Sequence, residues 1–468
     1  MSGDLALLSA AELARRIRGG TATSREAVEA CLARIERLDG TLNAFIALDE
    51  EHARRSADLA DAEAKRGRWH GPLHGVPLAH KDMYYREGRI ATCGSKIRNE
   101  WVAPATATVL SRLDAAGALD LGTLNMAEFA LGPTGHNWHH GHARNAWNPE
   151  HITGGSSSGS ATGLAARMFY GTLGSDTGGS IRLPAHFCGV VGLKPSWGRV
   201  SRANAMPLSW TLDCVGPLTR TVEDNALIMS MIAGPDPLDP TAAEEPVPDY
   251  VAGLARGVQN LRIGVPTRFF TEAEAETLRL LAAAREVFAR LGAVLIEVPI
   301  PDMEKVGAYF PMVMGPESAT IHREWLRTRP GDYSAQVRAR LEAGLTVPAT
   351  FYLDALRARG PLLAEFTETV FSRCDILMVP AGMFPAPTVA ESEITGGPDL
   401  VAKLTNFPRF TRVFNYLGLP GLTVPAGFTG SGLPVGMQLV GRPFDEATLL
   451  AAGHAYQQAT EWHRKVPS

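Results

Sequence analysis

The chain has 468 residues, 45% of them hydrophobic, and a formal net charge of −4 at pH 7. This composition is typical of a globular protein with a sizeable core, and the acidic excess argues against nucleic-acid binding by charge alone. No stretch approaches the roughly 18 apolar residues of a membrane span, and the N-terminus lacks a secretory signal pattern. The five cysteines are scattered without metal-ligand spacing, which favours free thiols. We therefore predict a cytoplasmic protein that binds neither nucleic acid nor membrane.

Residues 1–66 show the apolar spacing of helices. Ser9 and Glu12 form a capping-box pattern ahead of the first helix, Ser24 precedes a second, and a charged third helix is expected at the surface. This segment carries no chemical motif. We expect it to serve in packing or in the contact of a homodimer.

From Leu73 onwards, short apolar strands alternate with helices. One buried strand is predicted to end at Lys81, a helix to span residues 106–118, and a further strand to lead towards a histidine-rich loop at 134–151. Helices between apolar strands at this spacing indicate a mixed or parallel sheet that is covered on both faces.

The second half of the chain continues this alternation. Residues 261–301 form a strand–helix–strand pattern, residues 303–375 are mainly helical, and residues 418–443 are predicted to be paired strands before a last helix. Residues 234–260 are rich in proline and acidic residues, so we expect a linker or a surface excursion there.

The most informative stretch runs from Gly154 to Gly189 and contains two serines, Ser156 and Ser180, each directly after a pair of glycines. Glycine tolerates backbone angles that are closed to other residues, and Ser180 is predicted to begin a helix, whose first N–H groups lack partners. A nucleophile at this position would have an oxyanion hole made of backbone N–H groups. The residues that would supply them are Thr177, Gly178, Gly179 and Ser180. A Gly-Gly-Ser turn alone is more often structural.

A serine nucleophile needs a base, and the sequence offers Lys81 rather than a histidine. No G-x-S-x-G elbow is present. Lys81 ends an apolar strand, where loss of water would lower its pKa and allow it to accept a proton near pH 7. The plain alternative is a surface ion pair with the neighbouring aspartate. For Ser156 the alternatives are a turn between lysine and nucleophile or a simple helix cap.

Lys81, the segment GGSSSGSAT around Ser156 and the segment GSDTGGS around Ser180 together resemble the motifs of the amidase signature family. The resemblance covers most of the chain, from about residue 73 to 224 and again from 410 to 460. It implies an α/β fold, with a large mixed β-sheet sandwiched between α-helices in a single catalytic domain. We expect residues 67–468 to form that domain, with 303–410 as a substrate-shaping insert.

The resemblance also implies a catalytic triad. Ser180 would attack the acyl carbon, and Ser156, which follows a cis peptide bond, would relay protons between Ser180 and neutral Lys81. No cofactor or metal is implied. The expected supporting residues are Ser157, Asp176 and Arg182. The departures from common family wording, such as GGSSSGSAT for GGSSGGSAA, touch no triad position.

Four histidines in the loop at 134–151 suggest a metal site at first sight: His136, His139, His140 and His142. Their spacing is unlike ordinary zinc patterns, and no acidic residue lies close by in the sequence. We therefore expect this loop to line the pocket entrance rather than to hold a metal.

The favoured function is hydrolysis of small amides, with aryl amides and carbamates (urethanes) as candidate substrates. One alternative is the glutaminase-like A subunit of a tRNA-dependent amidotransferase, suggested by LNMAEFALG. Another is a silent binding protein, which the intact triad disfavours. Specificity is expected from residues 134–150, 303–360 and 382–410. Arg409 and Arg412 are the only candidates seen for a substrate carboxylate, which weakly favours an apolar substrate.

Overall fold

The computed structural model describes residues 4–393 and 404–467. Its helices are α1 (Ala10–Arg18), α2 (Ser24–Leu42), α3 (Glu50–Lys65), α4 (Thr108–Ala115), α5 (Ser158–Ala165), α6 (Arg182–Cys188), α7 (Val222–Ile232), α8 (Tyr250–Gly253), α9 (Ala275–Arg290), α10 (Met303–Thr328), α11 (Ala335–Gly344), α12 (Ala349–Phe366), α13 (Val389–Ser392), α14 (Arg409–Leu417) and α15 (Glu446–Gln458). Its strands are β1 (Phe45–Leu48), β2 (Pro77–Lys81), β3 (Leu119–Leu124), β4 (Arg144–Asn145), β5 (Asn148–Ile152), β6 (Gly171–Asp176), β7 (Val191–Lys194), β8 (Cys214–Thr219), β9 (Arg262–Pro266), β10 (Val294–Val298), β11 (Ile376–Pro380), β12 (Gly421–Phe428) and β13 (Pro434–Val440).

The centre of the structure is an eight-stranded sheet with the order β10-β9-β11-β13-β12-β7-β8-β6. Strand β9 runs parallel to β10 and β11, and the other neighbours are antiparallel. Helices α6, α7, α9 and α15 pack against its strands, and β11 and β13 are buried along their whole length. The predicted large mixed sheet covered by helices is confirmed.

Lys81 lies in a second, three-stranded sheet with the order β1-β3-β2. Strand β2 ends at Lys81 as predicted, and it pairs in parallel with β3. The amide of Tyr170, just before β6, donates to the carbonyl of Pro77 at 3.1 Å. This contact brings the Lys81 strand beside the edge strand β6 of the large sheet.

The N-terminal segment differs in two places from the helices predicted for residues 1–66. Strand β1 interrupts them, because residues 45–48 pair antiparallel with β3. The second capping box uses Thr23 and Glu26 rather than Ser24, which already lies inside the helix. Ser9 caps α1 as predicted and accepts a hydrogen bond from the amide of Glu12.

Residues 234–260 run mostly along the surface, as one of the two predicted alternatives had it, but they are anchored to the core and do not form a free linker. Asp236 accepts a hydrogen bond from Ser201, Arg199 donates to the carbonyl of Glu245 at 2.9 Å, and Tyr250 in α8 is buried. Buried polar partners in the preceding loop hold this proline-rich segment against the core. The proline-rich composition of this segment therefore indicates an irregular backbone and does not indicate a segment that is free of the core.

A second hydrophobic cluster, separate from the main core, forms where α10, α12 and α14 meet. Phe310, Phe366 and Phe414 are buried in it. It fixes α10 and α14 beside the turn that carries Ser180, since Phe310 also lies against Gly178. The helical segment after residue 303 is thereby joined to the central sheet.

The five cysteines are buried and unpaired, in agreement with the predicted free thiols. Among residues 4–393 and 404–467, no helix has both the length and the apolar character needed to cross a membrane. The predicted loop at 382–410 lies partly outside the described residues.

We predict that Asp224→Ala lowers the free energy of unfolding by about 1–3 kcal/mol, because it removes the buried acceptor of a backbone N–H. Asp224 Oδ1 accepts from the amide of Ala11 at 2.8 Å and so ties α1 to α7. Urea unfolding measures the change. The matched control is Asp58→Ala, which removes an exposed pair with Arg25 and should cost less than about 1 kcal/mol. Equal losses in the two variants would contradict a buried anchor.

Candidate active site

Lys81 lies at the buried end of β2 with its side chain removed from solvent. Its Nζ donates to Ser156 Oγ at 2.7 Å and to Ser175 Oγ at 2.8 Å. Burial lowers the pKa of Lys81 to about 7, although the charges of Asp176 and Asp213 act in the opposite direction. The surface ion pair considered as an alternative is absent, because neighbouring Asp82 is itself buried and accepts from the amide of Gly94. Lys81 therefore has the setting of a proton acceptor near neutral pH.

Ser156 lies in a tight turn that leads into the helix α5. The peptide bond between Gly155 and Ser156 is cis, as the resemblance implies. A Cβ on Gly155 would lie 2.3 Å from the carbonyl oxygen of Gly132, so no other residue fits there without a shift. The carbonyl of Ser156 accepts from the amide of Ala127 at 3.1 Å. The backbone thus presents the Ser156 hydroxyl to Lys81.

Ser180 lies in the turn between β6 and α6. The helix begins at Arg182, two residues later than predicted. The amides of residues 177–180 donate no hydrogen bond to another described backbone or side-chain group, and Ser180 itself is partly exposed. The predicted oxyanion-hole donors are therefore free to bind a ligand oxygen.

The two serine turns are joined through their backbones. The amide of Ser157 donates to the carbonyl of Ser180 at 3.4 Å. The hydroxyls of Ser156 and Ser180, both among the described residues, make no hydrogen bond to each other. Catalytic hydrogen bonds are commonly long without substrate. The structure thus brings Lys81 and Ser156 into contact and places Ser180 on the adjoining turn.

Asp176 and Arg182 form a buried, bidentate ion pair beneath the Ser180 turn, with N–O distances of 2.9 and 3.0 Å. Asp176 also accepts from the amide of Ile181, and Asn415 of α14 donates to it at 2.9 Å. Burial alone would raise the pKa of Asp176, but Arg182 brings it down to about 2. The pair thus fixes both ends of the turn, as expected of supporting residues.

Two further residues, neither of which was predicted from the sequence as a site residue, hold the site together. Ser175, directly before Asp176, is the second hydrogen-bond partner of Lys81. Asp213 accepts from the hydroxyl of Thr177 at 2.6 Å and from the amides of Leu208 and Ser209. Ser175 lies within the segment GSDTGGS, so its closeness in sequence to Asp176 and Ser180 was the available signal. Asp213 lies in a loop far along the chain from the Ser180 turn, and no sequence pattern marked it as part of the site.

The Ser180 turn opens into a small cavity of about 50 Å³. Its lining is mostly apolar and includes Leu131, Leu183, Leu208, Phe310, Met314 and Leu404. Phe310 and Met314 belong to the segment 303–360, from which substrate specificity was expected. Arg340 of α11 is the one charged residue among the described lining residues, and no aspartate or glutamate is among them.

Arg409 and Arg412, the predicted carboxylate partners, do not line this cavity. Arg409 instead forms ion pairs with Glu272 and Glu304, and Arg412 donates to the carbonyl of Thr405 at 3.3 Å. The Arg409 guanidinium is neutralised by two surface carboxylates, and the Arg412 guanidinium is hydrogen-bonded to a nearby backbone carbonyl. Arg340, not Arg409 or Arg412, is the arginine among the described residues that line the cavity.

The histidine loop also lies away from the described cavity lining. His136 is buried and contacts Ser392 Oγ at 3.0 Å, and burial lowers its pKa to about 3. His139 pairs with buried Glu128 at 2.9 Å. In the part of the chain that the structure describes, no group of three or more histidine, cysteine or acidic side chains is placed to hold a metal ion. These histidines have structural partners, and the expectation that they line the pocket entrance is not confirmed.

We predict that Arg182→Met lowers the free energy of unfolding by about 3–5 kcal/mol, because it leaves the carboxylate of Asp176 buried without its cation. Chemical denaturation measures the loss. Arg338→Met is the matched control, since Arg338 is exposed and pairs only with Glu342 of the same helix. A small loss, no larger than that of the control, would contradict the role of the buried pair.

The comparisons with known proteins agree with this geometry. The amidase family profile matches residues 26–450. The A subunit of the glutamyl-tRNA(Gln) amidotransferase of Moorella thermoacetica is 41% identical, over 99% of each chain. A solved structure of a vestigial protein complex, which concerns the origins of an s-triazine catabolic enzyme, has 36% identity and a TM-score of 0.89, covering 96% of this chain and 98% of that chain.

A solved bacterial aryl acylamidase of the amidase signature family has 27% identity and a TM-score of 0.89, covering 98% of each chain. The family profile covers most of the chain, and the relatives match it over nearly its full length. The chain therefore belongs to the amidase signature family of enzymes.

Proposed function

We propose that this chain hydrolyses the C–N bond of small amides through an acyl-enzyme on Ser180. The observation that supports this most is the array of buried Lys81, hydrogen-bonded Ser156 and the free N–H groups around Ser180. These groups are what acyl transfer needs: a base, a nucleophile and donors for the developing oxyanion.

The hydrogen bond between Lys81 and Ser156 provides one half of a proton path, and we expect the other half, between Ser156 and Ser180, to form when substrate binds. As Ser180 Oγ forms a bond with the acyl carbon, its proton passes to Ser156, and the proton of Ser156 passes to neutral Lys81. The same path in reverse protonates the leaving nitrogen as the C–N bond breaks. Water then attacks the ester on Ser180, again giving up a proton towards Lys81. Below the pKa of Lys81, about 7, the charged amine cannot accept this proton, so the rate should fall as the pH falls.

The cavity indicates which acyl groups fit. Its apolar lining suits an alkyl or aryl chain, and Arg340 offers a single positive charge. Free glutamine also carries an ammonium group, and the described lining residues include no carboxylate to receive it. Burying an unpaired ammonium is costly. This supports a small amide or carbamate over glutamine as the substrate of a chain that acts alone.

A second candidate is the A subunit of an amidotransferase, which would take ammonia from glutamine and need partner chains. The curated relatives carry that name at 38–41% identity over nearly the full length, so sequence similarity favours it over a hydrolase that acts alone. The solved aryl acylamidase, at 27% identity, supports the first candidate, whereas the structure with 36% identity is that of a protein complex. A substrate assay separates the two candidates.

The segment 303–410, predicted to shape the substrate pocket, supplies part of the cavity lining. Phe310 and Met314 come from α10, and Arg340 comes from α11. We infer that substrate selection by this enzyme depends on these two helices. The boundary of a catalytic domain at residue 67 stays a prediction, as do a homodimer and a cytoplasmic location.

The test is amine or ammonia release by the purified chain alone, with glutamine, short aliphatic amides, an anilide and an aryl carbamate as substrates. We expect turnover of at least one amide or carbamate and little turnover of glutamine. Ser180→Ala should lower kcat by at least about a thousandfold, because no nucleophile remains. Ser158→Ala is the matched control, since the hydroxyl of this buried serine donates to the carbonyl of Asn125 rather than contacting Lys81.

Activity on glutamine alone, or activity that appears only when partner chains are added, would replace the first candidate by the second. Full activity of Ser180→Ala would overturn both candidates, because each depends on that nucleophile.

A further inference from the structure

We propose that Asp213 is a positioning residue for the reaction: through the hydroxyl of Thr177, it sets the direction of the Gly178 N–H, one of the donors for the developing oxyanion. This inference rests on the proposed amide hydrolysis and adds a residue that acts without touching the substrate. The observation behind it is a buried carboxylate that accepts a hydrogen bond from Thr177 Oγ1 at 2.6 Å.

The turn from residue 176 to 180 contains four peptide groups, and their N–H groups are the free donors of the site. Three of these peptide groups have a carbonyl that accepts a hydrogen bond from a neighbouring element. The bonds run from Asn415 to Asp176 at 2.9 Å, from Thr411 to Gly178 at 2.7 Å and from the amide of Leu183 to Gly179 at 2.7 Å. Because a peptide group is planar, a bond at its carbonyl also sets the direction of its N–H.

The fourth peptide group, between Thr177 and Gly178, lacks such an anchor. No group in residues 4–393 and 404–467 donates to the carbonyl of Thr177, and the amide of Gly178 has no acceptor there either. The direction of this peptide group therefore depends on the conformation of Thr177, which the bond from its hydroxyl to Asp213 holds in place. Without that bond, the Gly178 N–H could turn away from the oxyanion.

The fold itself brings Asp213 beside Thr177. The antiparallel pairing of β6 with β8 places the residue that follows β6 next to the residue that precedes β8. The second carboxylate oxygen of Asp213 accepts from the amides of Leu208 and Ser209, both at 2.9 Å. Burial raises the pKa of Asp213, and these donors and Thr177 act in the opposite direction. All its hydrogen-bond partners among the described residues are donors, as an ionised carboxylate requires.

A second buried carboxylate, that of Glu317 on α10, holds the loop that carries Asp213. Glu317 accepts hydrogen bonds from Ser209 Oγ and from Thr211 Oγ1, the latter at 2.8 Å. The loop is thereby fixed to the helix that supplies Phe310 to the cavity. Asp213 is thus a rigid acceptor, which is what a supporting residue needs in order to orient its partner.

The competing explanation is a purely structural role, in which Asp213 only holds the amides of Leu208 and Ser209. Thr177→Val separates the two explanations, because it removes one hydroxyl and leaves the loop bonds of Asp213 in place. A structural role predicts no specific loss of transition-state binding. A positioning role predicts a loss in the transition state with little change in substrate binding.

The experiment uses the best amide substrate and a trifluoromethyl ketone with the same acyl chain. Ser180 Oγ adds to the ketone carbon, its proton passes towards Lys81, and the ketone oxygen becomes an oxyanion at the same N–H groups. In Thr177→Val, kcat should fall by about tenfold to a hundredfold, less than the loss of a whole donor. The Ki of the ketone should rise by a similar factor, while KM stays within about threefold. Thr177→Ser, which keeps the hydroxyl, should restore kcat and Ki.

Thr162→Val is the matched control, since the hydroxyl of this buried threonine donates to the carbonyl of Arg144 at 2.6 Å and not to a site residue. It should leave kcat and Ki as in the wild type. Thr177→Ala provides the same test if Thr177→Val fails to fold.

An unchanged Ki of the ketone in Thr177→Val would overturn the proposal, and so would an equal loss of kcat in Thr177→Ser. If the wild-type enzyme neither hydrolyses an amide nor binds the ketone, the proposed function fails. If it does both and Thr177→Val behaves like it, only the positioning role of Asp213 fails.

Discussion

The amino group of Lys81 lies away from water between the ends of two strands from different sheets. Burial of a charged ammonium is costly, and two serine hydroxyls at 2.7 and 2.8 Å are its close partners. Ser175 belongs to the edge strand of the large sheet, and Ser156 belongs to the turn that leads into α5. The position of this one side chain therefore requires β2, β6 and the Ser156 turn to meet at one point.

The turn that carries Ser180, the proposed nucleophile, depends on a second buried polar group, the Asp176–Arg182 pair. Its hydrogen bonds extend to Asn415 on α14 and to Gln438 on β13, with Arg182 Nη1 donating to Gln438 at 2.6 Å. Groups from distant parts of the sequence thus hold the backbone N–H groups of residues 177–180 in place before any substrate binds. Such preorganised donors are a large source of rate enhancement in acyl transfer.

The sequence predicted the parts of this arrangement that depend on local pattern. The apolar run that ends at Lys81, the two glycine-flanked serines and the paired strands β12 and β13 all follow from short stretches of residues. Strand β1 was missed because its conformation comes from pairing with β3, some 75 residues away in the chain. The packing of residues 234–260 was missed for the same reason, since its partners, such as Ser201, lie outside the segment.

Charge partners were the least predictable feature. Arg409, Arg412 and Arg340 look alike in the sequence, and only the structure shows which of them are neutralised and which faces the cavity. The tight turn before Ser156, in contrast, could be predicted from the sequence because a local constraint determines it. A neighbouring carbonyl oxygen lies so close to residue 155 that only glycine fits there. The pair of glycines before Ser156 in the sequence reflects this constraint.

The most direct test of this account is the titration of the Lys81 amino group by NMR in protein labelled with ¹⁵N-lysine. The Lys81→Met variant assigns the signal by difference, and buried Lys194 stays in both spectra. The account predicts a pKa of about 7, with the neutral amine dominant above it. A pKa that remains near the ordinary value of about 10.4 would leave Lys81 charged at neutral pH and contradict its proposed role as the proton acceptor.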